Sequence, residues 1–344
     1  MDGDGTVSKT YDGTKEATVS LTIPSNQLVE ANDDVAVTCT GTYEKTDVGE
    51  NIQVTISDLS LSGADAEFYE VKPPENIIGS ITPAKIDGTV EITGTPQFDQ
   101  KLTAVYKGNA GESVTFQWKR GEEEIVNAVG EIYTAVKEDI GQNISVTVTG
   151  TGNYEGSVIS EEIKIEKADK AAPDEKDAKI DYGQEVVTDY YPDTNHIMEF
   201  SNTDDESATA VDELALTPGD DPYTVYMRYK ETETHKASPW TEVTIPARPQ
   251  INLAVGEVTA NSISVTTDTD PNGADVKYGI VKQGGSADDI AEWQTYSSLS
   301  GLYSETEYTV HCSWSATNRS FSGIDSIDAT TEKATYNAAF QQTH

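Results

Sequence analysis

The sequence predicts an all-β fold made of four small β-sandwich modules joined in an extended row. Apolar and polar residues alternate with period two along many short runs, one of which contains Ile52, Val54 and Ile56. Such alternation is typical of half-buried strands, because successive side chains of a strand point to opposite faces. Helical periodicity is nearly absent, and its best example is the short segment 287–293.

Three similar junctions divide the 344 residues into these modules. Each junction follows a strand-like run and adds an alanine, a basic residue and usually a proline; the junctions lie at 81–85, 165–173 and 245–249. Linkers that are short and contain proline are semi-rigid, which favours the extended row. The predicted modules are 1–84, 85–169, 170–248 and 249–333, followed by a polar tail at 334–344.

The charge balance is strongly acidic, with 60 Asp and Glu against 23 Lys and Arg and a net charge of −37. Nucleic acids and anionic membrane surfaces bind basic surfaces, so both are excluded as partners. Acidity of this degree keeps modules soluble and apart, and a monomer is expected. No run approaches the roughly 18 apolar residues of a membrane-spanning helix, so no membrane insertion is expected.

Neither the cysteines nor the histidines form a reactive cluster in the sequence. Cys39 and Cys312 fall in different predicted modules, so a disulfide within a module is not expected. Each lies on the apolar side of its strand and is predicted to be a small buried hydrophobe. His311 alternates with the apolar side of its strand and is predicted to be solvated.

The first predicted module carries several motifs in a fixed order. They lie at 9–14 (KTYDGT), 41–43 (GTY), 47–49 (DVG), 61–66 (LSGADA) and 81–84 (ITPA). With these motifs, residues 8–83 resemble the YDG repeat of large, exported, adhesin-like bacterial proteins. The resemblance implies a location on the bacterial cell surface or in secreted form, with the signal peptide and the anchor outside this segment. It implies no catalytic role, and Asp12-Gly13 is itself turn chemistry.

The other three modules also resemble known families of exported or extracellular proteins. Residues 86–167 look like a bacterial Ig-like module through 94–96 (GTP), 116–121 (FQWKRG), 139–141 (DIG) and 150–154 (GTGNY), and Trp118 is expected in its core. Residues 250–332 resemble a fibronectin type III domain through 258–265 and 306–310, with Tyr308 in the core. The segment 223–230 makes 171–247 similar to another surface repeat. Four Ig-like or fibronectin III-like β-sandwiches are therefore expected.

The sequence contains no assembled catalytic motif. It has no Gly-x-Ser-x-Gly elbow, no His-Glu-x-x-His and no paired Cys-x-x-Cys, so we predict no enzyme and no cofactor. One string resembles a calcium loop, in which Asp268, Asp270, Asn272 and Asp275 offer oxygen ligands. Its twelfth position is Gly279 instead of a bidentate glutamate. An acidic loop is therefore the first interpretation, and a weakly bound calcium ion is the second.

Two functions fit these features. The leading prediction is a non-catalytic extracellular segment of a bacterial cell-surface protein, a stalk or spacer that also takes part in adhesion to a glycan or to a host or matrix protein. The alternative is a set of carbohydrate-binding accessory modules in a surface system that degrades polysaccharides. Sugars stack on exposed aromatic rings, and the candidates for such contacts are Tyr190, Tyr191, Trp240 and Trp293.

Overall fold

The computed structural model describes residues 7–30, 32–189, 197–207, 209–268 and 273–337, and these ranges confirm the all-β fold. They contain 27 strands and five short 3₁₀ helices. The chain forms two compact units, Met1–Ala168 and Asp169–His344. Buried apolar side chains in the described ranges form four clusters, two in each unit, which we number in chain order as the first to fourth core. The module boundaries given above stay a prediction.

The first core is built on one sheet of five strands. These are β1 (Val7–Thr10), β2 (Glu16–Ala17), β3 (Ala36–Tyr43), β4 (Gly49–Ser62) and β5 (Ile78–Thr82), with 3₁₀ turns at Ser25–Gln27 and Ala66–Phe68. The order is β1-β5-β4-β3-β2. β1 and β5 pair in parallel, and the other pairs are antiparallel. The long β4 shifts register against both neighbours, which lets one strand serve both halves of the sheet.

The inward face of β3 is buried at one end only. Tyr43 is 1% exposed and packs with Ile52, Val54 and Ile81 in the first core. At the other end of the same strand pair, Val37 and Leu61 are opposite each other in register but only half-buried. The first core therefore leaves part of its apolar face uncovered.

The second core lies between two antiparallel sheets. Its strands are β6 (Ala84–Lys85), β7 (Thr89–Gly94), β8 (Lys101–Lys107), β9 (Val114–Arg120), β10 (Glu123–Glu124), β11 (Ile132–Thr134), β12 (Asn143–Gly150), β13 (Tyr154–Glu155), β14 (Ser157–Ile159) and β15 (Ile163–Lys164), with a 3₁₀ turn at Lys137–Asp139. One sheet has the order β10-β9-β12-β14 with β15 also on β12, and the other has the order β11-β8-β7. Trp118 is fully buried between them, 5.4 Å from the ring of Tyr133, which confirms its predicted core position.

The third core also lies between two small sheets. Its strands are β16 (Ala178–Asp181), β17 (Val186–Asp189), β18 (Met198–Ser201), β19 (Leu214–Ala215), β20 (Tyr223–Tyr229) and β21 (Thr241–Ile245), after a 3₁₀ turn at Glu175–Asp177. The orders are β16-β17-β19 and β18-β20-β21. Phe200, Val225 and Met227 are fully buried in this core.

The fourth core repeats the two-sheet arrangement. Its strands are β22 (Leu253–Val258), β23 (Ser262–Thr267), β24 (Val276–Lys282), β25 (Ser298–Ser300), β26 (Glu307–Trp314) and β27 (Gly323–Thr330), with orders β22-β23-β25 and β24-β26-β27. The one segment with helical periodicity forms only a 3₁₀ turn at Ala287–Asp289. Tyr308 is buried, as predicted, and its hydroxyl accepts a hydrogen bond of 3.0 Å from the backbone N–H of Tyr303.

His311 is buried, so the prediction of a solvated side chain is wrong. It is 9% exposed, and its Nε2 has no hydrogen-bond partner in the part of the chain that the structure describes. His311 lies opposite Gly279 on β24, where an added Cβ would come within 2.6 Å of the side chain of Ile290. Ile290 therefore packs on the sheet beside His311, and the alternation of the strand could not reveal this cover.

The two cysteines are free thiols in different units. Cys312 is fully buried in the fourth core, as predicted, and burial raises the pKa of its thiol to about 11. Cys39 is only half-buried on β3, so the prediction of a buried side chain is wrong for this residue; its Sγ lies 4.0 Å from the carbonyl oxygen of Val19.

Candidate functional site

The aromatic residues predicted to stack on sugars are in different surroundings. Tyr190 and Tyr191 lie outside the described residues. Trp240 is half-buried, and the guanidinium carbon of Arg228 lies 4.2 Å from its ring centre. Glu199 holds Arg228 there through a contact of 2.6 Å. One face of Trp240 is thus covered by a paired cation. Trp293 is half-buried in the loop between β24 and β25, and a sugar contact for these residues stays a prediction.

The predicted calcium loop is only partly described. Asp270 and Asn272 lie outside the described residues. Asp268 accepts two hydrogen bonds from Asn252, at 3.1 Å from the backbone N–H and at 2.6 Å from Nδ2. Within the described ranges, no three His, Cys, Asp or Glu side chains are grouped closely enough to hold a metal ion. Calcium binding by this loop, with Asp275 as a further ligand, therefore stays a prediction.

The Tyr11-Asp12-Gly13 motif forms a locked turn. Asp12 accepts hydrogen bonds from Lys9 at 2.7 Å and from both the backbone and the hydroxyl of Thr14 at 2.9 Å. These bonds, that from Lys9 first, lower the pKa of the exposed Asp12 carboxyl to about 2. Gly13 has a φ of +77°, a conformation that favours glycine. The motif therefore has a structural role: Asp12 closes the turn with its hydrogen bonds, and Gly13 allows the positive φ.

The same motif reaches the strands of the second core. The ring of Tyr11 packs edge-on against Tyr154 at 5.5 Å. Next to it, Asn153 accepts a hydrogen bond of 2.9 Å from the backbone of Val48 and donates one of 3.0 Å to Asp47. The short strands β6 and β13 pair in parallel at this point. We call these contacts the Asn153 junction, which joins the first and second cores inside one unit.

A second junction joins the third and fourth cores, and it centres on Phe321. This residue precedes β27, yet it is fully buried in the third core, 4.9 Å from the ring of Tyr182. Arg248 lies over the ring of Phe321. It donates a hydrogen bond to the carbonyl of Ser322 and forms an ion pair with Glu185 at 2.7 Å. Sequence reasoning missed this Phe321 junction, because no local pattern shows which core a loop phenylalanine enters.

A cleft lies at the uncovered end of the first core, and we call it the Leu61 cleft. Its volume is about 420 Å³. Val37 and Leu61 form its floor, and two segments that lie outside the strands form its walls. Most lining side chains are apolar; the lining residues are Leu21, Thr22, Ile23, Pro24, Gln27, Val37, Leu61, Tyr69, Glu70, Val71, Lys72 and Pro74.

Tyr69 lines the Leu61 cleft and connects one of its walls to the chain segment that follows the other wall. Its hydroxyl donates to Asp33 and accepts a hydrogen bond of 2.7 Å from the backbone of Val29. Desolvation, followed by the bond to Asp33, raises the pKa of Tyr69. Polar contacts of Tyr69 therefore fix the chain beside a cleft whose lining is mainly apolar.

Residues 1–76 match the YDG domain family. The match confirms the resemblance of the first predicted module and ends seven residues before the predicted limit at 83. It includes the locked turn, the Leu61 cleft and four of the five strands around the first core. No curated protein matches the chain.

Several solved structures resemble the chain at low identity. Chicken CNTN1 FN1–FN3 domains cover 72% of this chain with all of their own length, at 15% identity and a TM-score of 0.21. The three N-terminal domains of the bacteriophage RB49 Highly Immunogenic Outer Capsid protein (Hoc) give the same coverage and identity with a TM-score of 0.26. Three domains of titin cover 72% at 11% identity and a TM-score of 0.25. The all-β fold rests on the strand registers above and not on these superpositions.

Proposed function

We propose that this chain is a non-catalytic segment of an exported bacterial surface protein, in which it acts as a stalk or spacer and takes part in adhesion. The observation that supports this most directly is the distribution of buried apolar residues over four cores in the described ranges. Catalysis needs several groups held around one cavity. The Leu61 cleft has a mainly apolar lining and contains no nucleophile beside a histidine.

The two junctions fit the mechanical task of a spacer. The Asn153 junction joins the first and second cores through a side-chain amide and an aromatic pair, next to the parallel pair of short strands β6 and β13. The Phe321 junction uses the fully buried ring of Phe321 and the side chain of Arg248, which contacts both Ser322 and Glu185. Junctions of this kind resist bending, because buried and hydrogen-bonded groups must separate before the cores can move apart.

The charge and the YDG match support an extracellular role. A net charge of −37 keeps neighbouring stalks apart and favours a monomer. The YDG repeat occurs in exported adhesin-like proteins, and the match covers four of the five strands around the first core. On this proposal the ligand is a glycan or a host or matrix protein, and calcium bound weakly at Asp268 and Asp275 would be a structural addition.

Single-molecule force spectroscopy on the whole chain tests the spacer role. Each core of about 80 to 95 residues should lengthen the chain by roughly 300 Å when it unfolds, at about 3.5 Å per residue. We expect several separate steps of this size. One single step that releases the whole chain would contradict the proposal, because it would mean one merged core.

The adhesive role needs a separate assay. Immobilised glycans and extracellular matrix proteins should retain the whole chain under physiological salt, and a scrambled-charge protein of similar acidity is the control. Retention on no surface would remove adhesion from the proposal and leave only the spacer. Turnover of a glycoside or ester substrate that follows the protein through purification would overturn the non-catalytic role.

A further inference from the structure

The backbone on both sides of the Leu61 cleft lacks hydrogen-bond partners among the residues that the structure describes. Residues 21–23 form one wall and residues 70–72 the other, and neither segment belongs to a strand. None of their backbone groups forms a hydrogen bond with another described residue. In both segments half-buried apolar residues alternate with exposed polar ones, as in a strand: Leu21, Thr22 and Ile23 in one wall, Glu70, Val71 and Lys72 in the other.

Backbone that lacks partners within the described ranges, beside an apolar floor, offers the same free donors and acceptors as a sheet edge. Exposed edges recruit another extended chain, whose backbone pairs with the edge while alternate side chains enter pockets. The cleft volume of about 420 Å³ lies within the range of pockets that hold peptide or small-molecule groups. Val37 and Leu61 on the floor would then cover the inserted apolar side chains.

The charge around the cleft selects the partner. The two stretches 20–37 and 61–75 contain seven acidic residues and one basic residue, Lys72. A second copy of this chain carries the same net charge of −37 and would be repelled. A basic chain would be attracted by the same field.

We propose that the Leu61 cleft binds an extended basic segment of a partner protein by strand addition, with apolar side chains at alternate positions of that segment inside the cleft. The segment pairs with the backbone of residues 21–23, of residues 70–72, or of both. This inference goes beyond the spacer role, and it holds whether or not the chain is a spacer.

Methyl NMR of the whole chain, labelled at Ile, Leu and Val, tests the proposal with one synthetic peptide. The probe is acetyl-Lys-Val-Lys-Leu-Lys-Val-Lys-amide, which alternates basic and apolar residues. We expect shifts in the methyl groups of Leu21, Ile23, Val37, Leu61 and Val71. We also expect slower amide exchange at 21–23 or 70–72, because strand pairing protects backbone N–H groups.

Two controls separate strand addition from other kinds of binding. A peptide with the same side chains and methylated backbone nitrogens keeps its charge and apolar groups but cannot donate to the cleft backbone. The variant Leu61→Lys changes the floor and should weaken binding about tenfold, equivalent to 1.4 kcal/mol. Phe68→Lys changes a side chain that is 72% exposed and lies outside the cleft lining, so it should leave binding unchanged.

Three results would overturn the proposal. The methyl groups of these five residues could remain unshifted at millimolar peptide, which would exclude the cleft as a site. Both peptides could bind equally well without slowing amide exchange at 21–23 or 70–72, which would mean that the cleft is an apolar pocket for small groups and not a site of strand addition. Shifts that depend on protein concentration without peptide would identify a second copy as the occupant.

Discussion

Asp139 is fully buried and forms an ion pair with Arg120 inside the second core. Arg120 Nη2 lies 2.6 Å and Nε 2.8 Å from the same carboxylate oxygen. The other oxygen accepts hydrogen bonds from the hydroxyl of Tyr133 at 2.6 Å and from the backbone of Val136 at 2.8 Å. Desolvation, and then this bond, raise the pKa of Tyr133. The buried charge is therefore fully partnered, which is the condition under which such a pair is tolerated.

Replacing Asp139 should destabilise the second core strongly. In Asp139→Asn the amide nitrogen replaces one carboxylate oxygen, so it must face either Arg120 or the hydroxyl of Tyr133, and the half-buried Arg120 loses its negative partner. We expect the free energy of unfolding to fall by about 3 kcal/mol. Urea denaturation followed by the fluorescence of the buried Trp118 measures it. The adjacent Glu138→Gln is the control, because Glu138 is exposed, and an equal loss in both variants would contradict the account.

Phe321→Ala should affect the third core although residue 321 lies in the sequence of the fourth. Removing a fully buried phenylalanine costs about 3 to 5 kcal/mol. Hydrogen exchange should show faster opening of strands β17 and β20 in the variant. Phe68→Ala, at a residue that is 72% exposed, should change stability by less than about 0.5 kcal/mol. Loss of protection confined to β24 and β26 would refute the assignment of Phe321 to the third core.

Sequence patterns predicted the cores better than the junctions, for a physical reason. Alternation and turn residues fix which face of a strand is apolar, and this was enough to place Trp118, Tyr308 and Cys312 in cores. The partner of a loop residue depends on the packing of distant segments, so Phe321 could not be assigned. The same limit applies to His311. It lies on the polar side of its strand, and Ile290 from a loop covers that side.

The candidate site was predictable only in part. The motif at 139–141 contributed to the resemblance to an Ig-like module, but sequence alone could not show that Asp139 is buried and paired with Arg120. The Leu61 cleft was not predicted, because Val37 and Leu61 have the same pattern as the fully buried residues of the first core. Only the structure shows that the wall segments leave a gap above them.

The stability of the unit that contains Cys312 should fall at high pH. Burial first, and then the charge of Asp325, raise the pKa of this thiol from 9.0 to about 11 in the folded state. The unfolded thiol loses its proton from about pH 9. The stabilising contribution is therefore complete below pH 9 and is lost as the pH rises through 11. Chemical denaturation between pH 8 and 11 should show a steeper loss in the parent and in Cys39→Ala than in Cys312→Ala. Parallel curves for all three would contradict this.

Asn153→Ala should loosen the Asn153 junction without unfolding either core. The variant removes the acceptor for the Val48 N–H and the donor to Asp47, at a cost of about 1 kcal/mol. Amide exchange at Val48 should become faster, while Trp118 fluorescence stays unchanged. Asn153→Asp keeps the acceptor but faces Asp47 with a second negative charge, so it should loosen the junction in a salt-dependent way. Unchanged exchange at Val48 in both variants would exclude the junction as a restraint.

Small-angle X-ray scattering of the whole chain tests most directly the proposal that the four cores are separate and form an extended row. Four modules of about 30 Å each, placed end to end, give a radius of gyration of about 35 Å. A single compact protein of this length has a radius of gyration of about 20 Å. We predict a value near 35 Å that does not change with protein concentration, and a value near 20 Å would contradict the account.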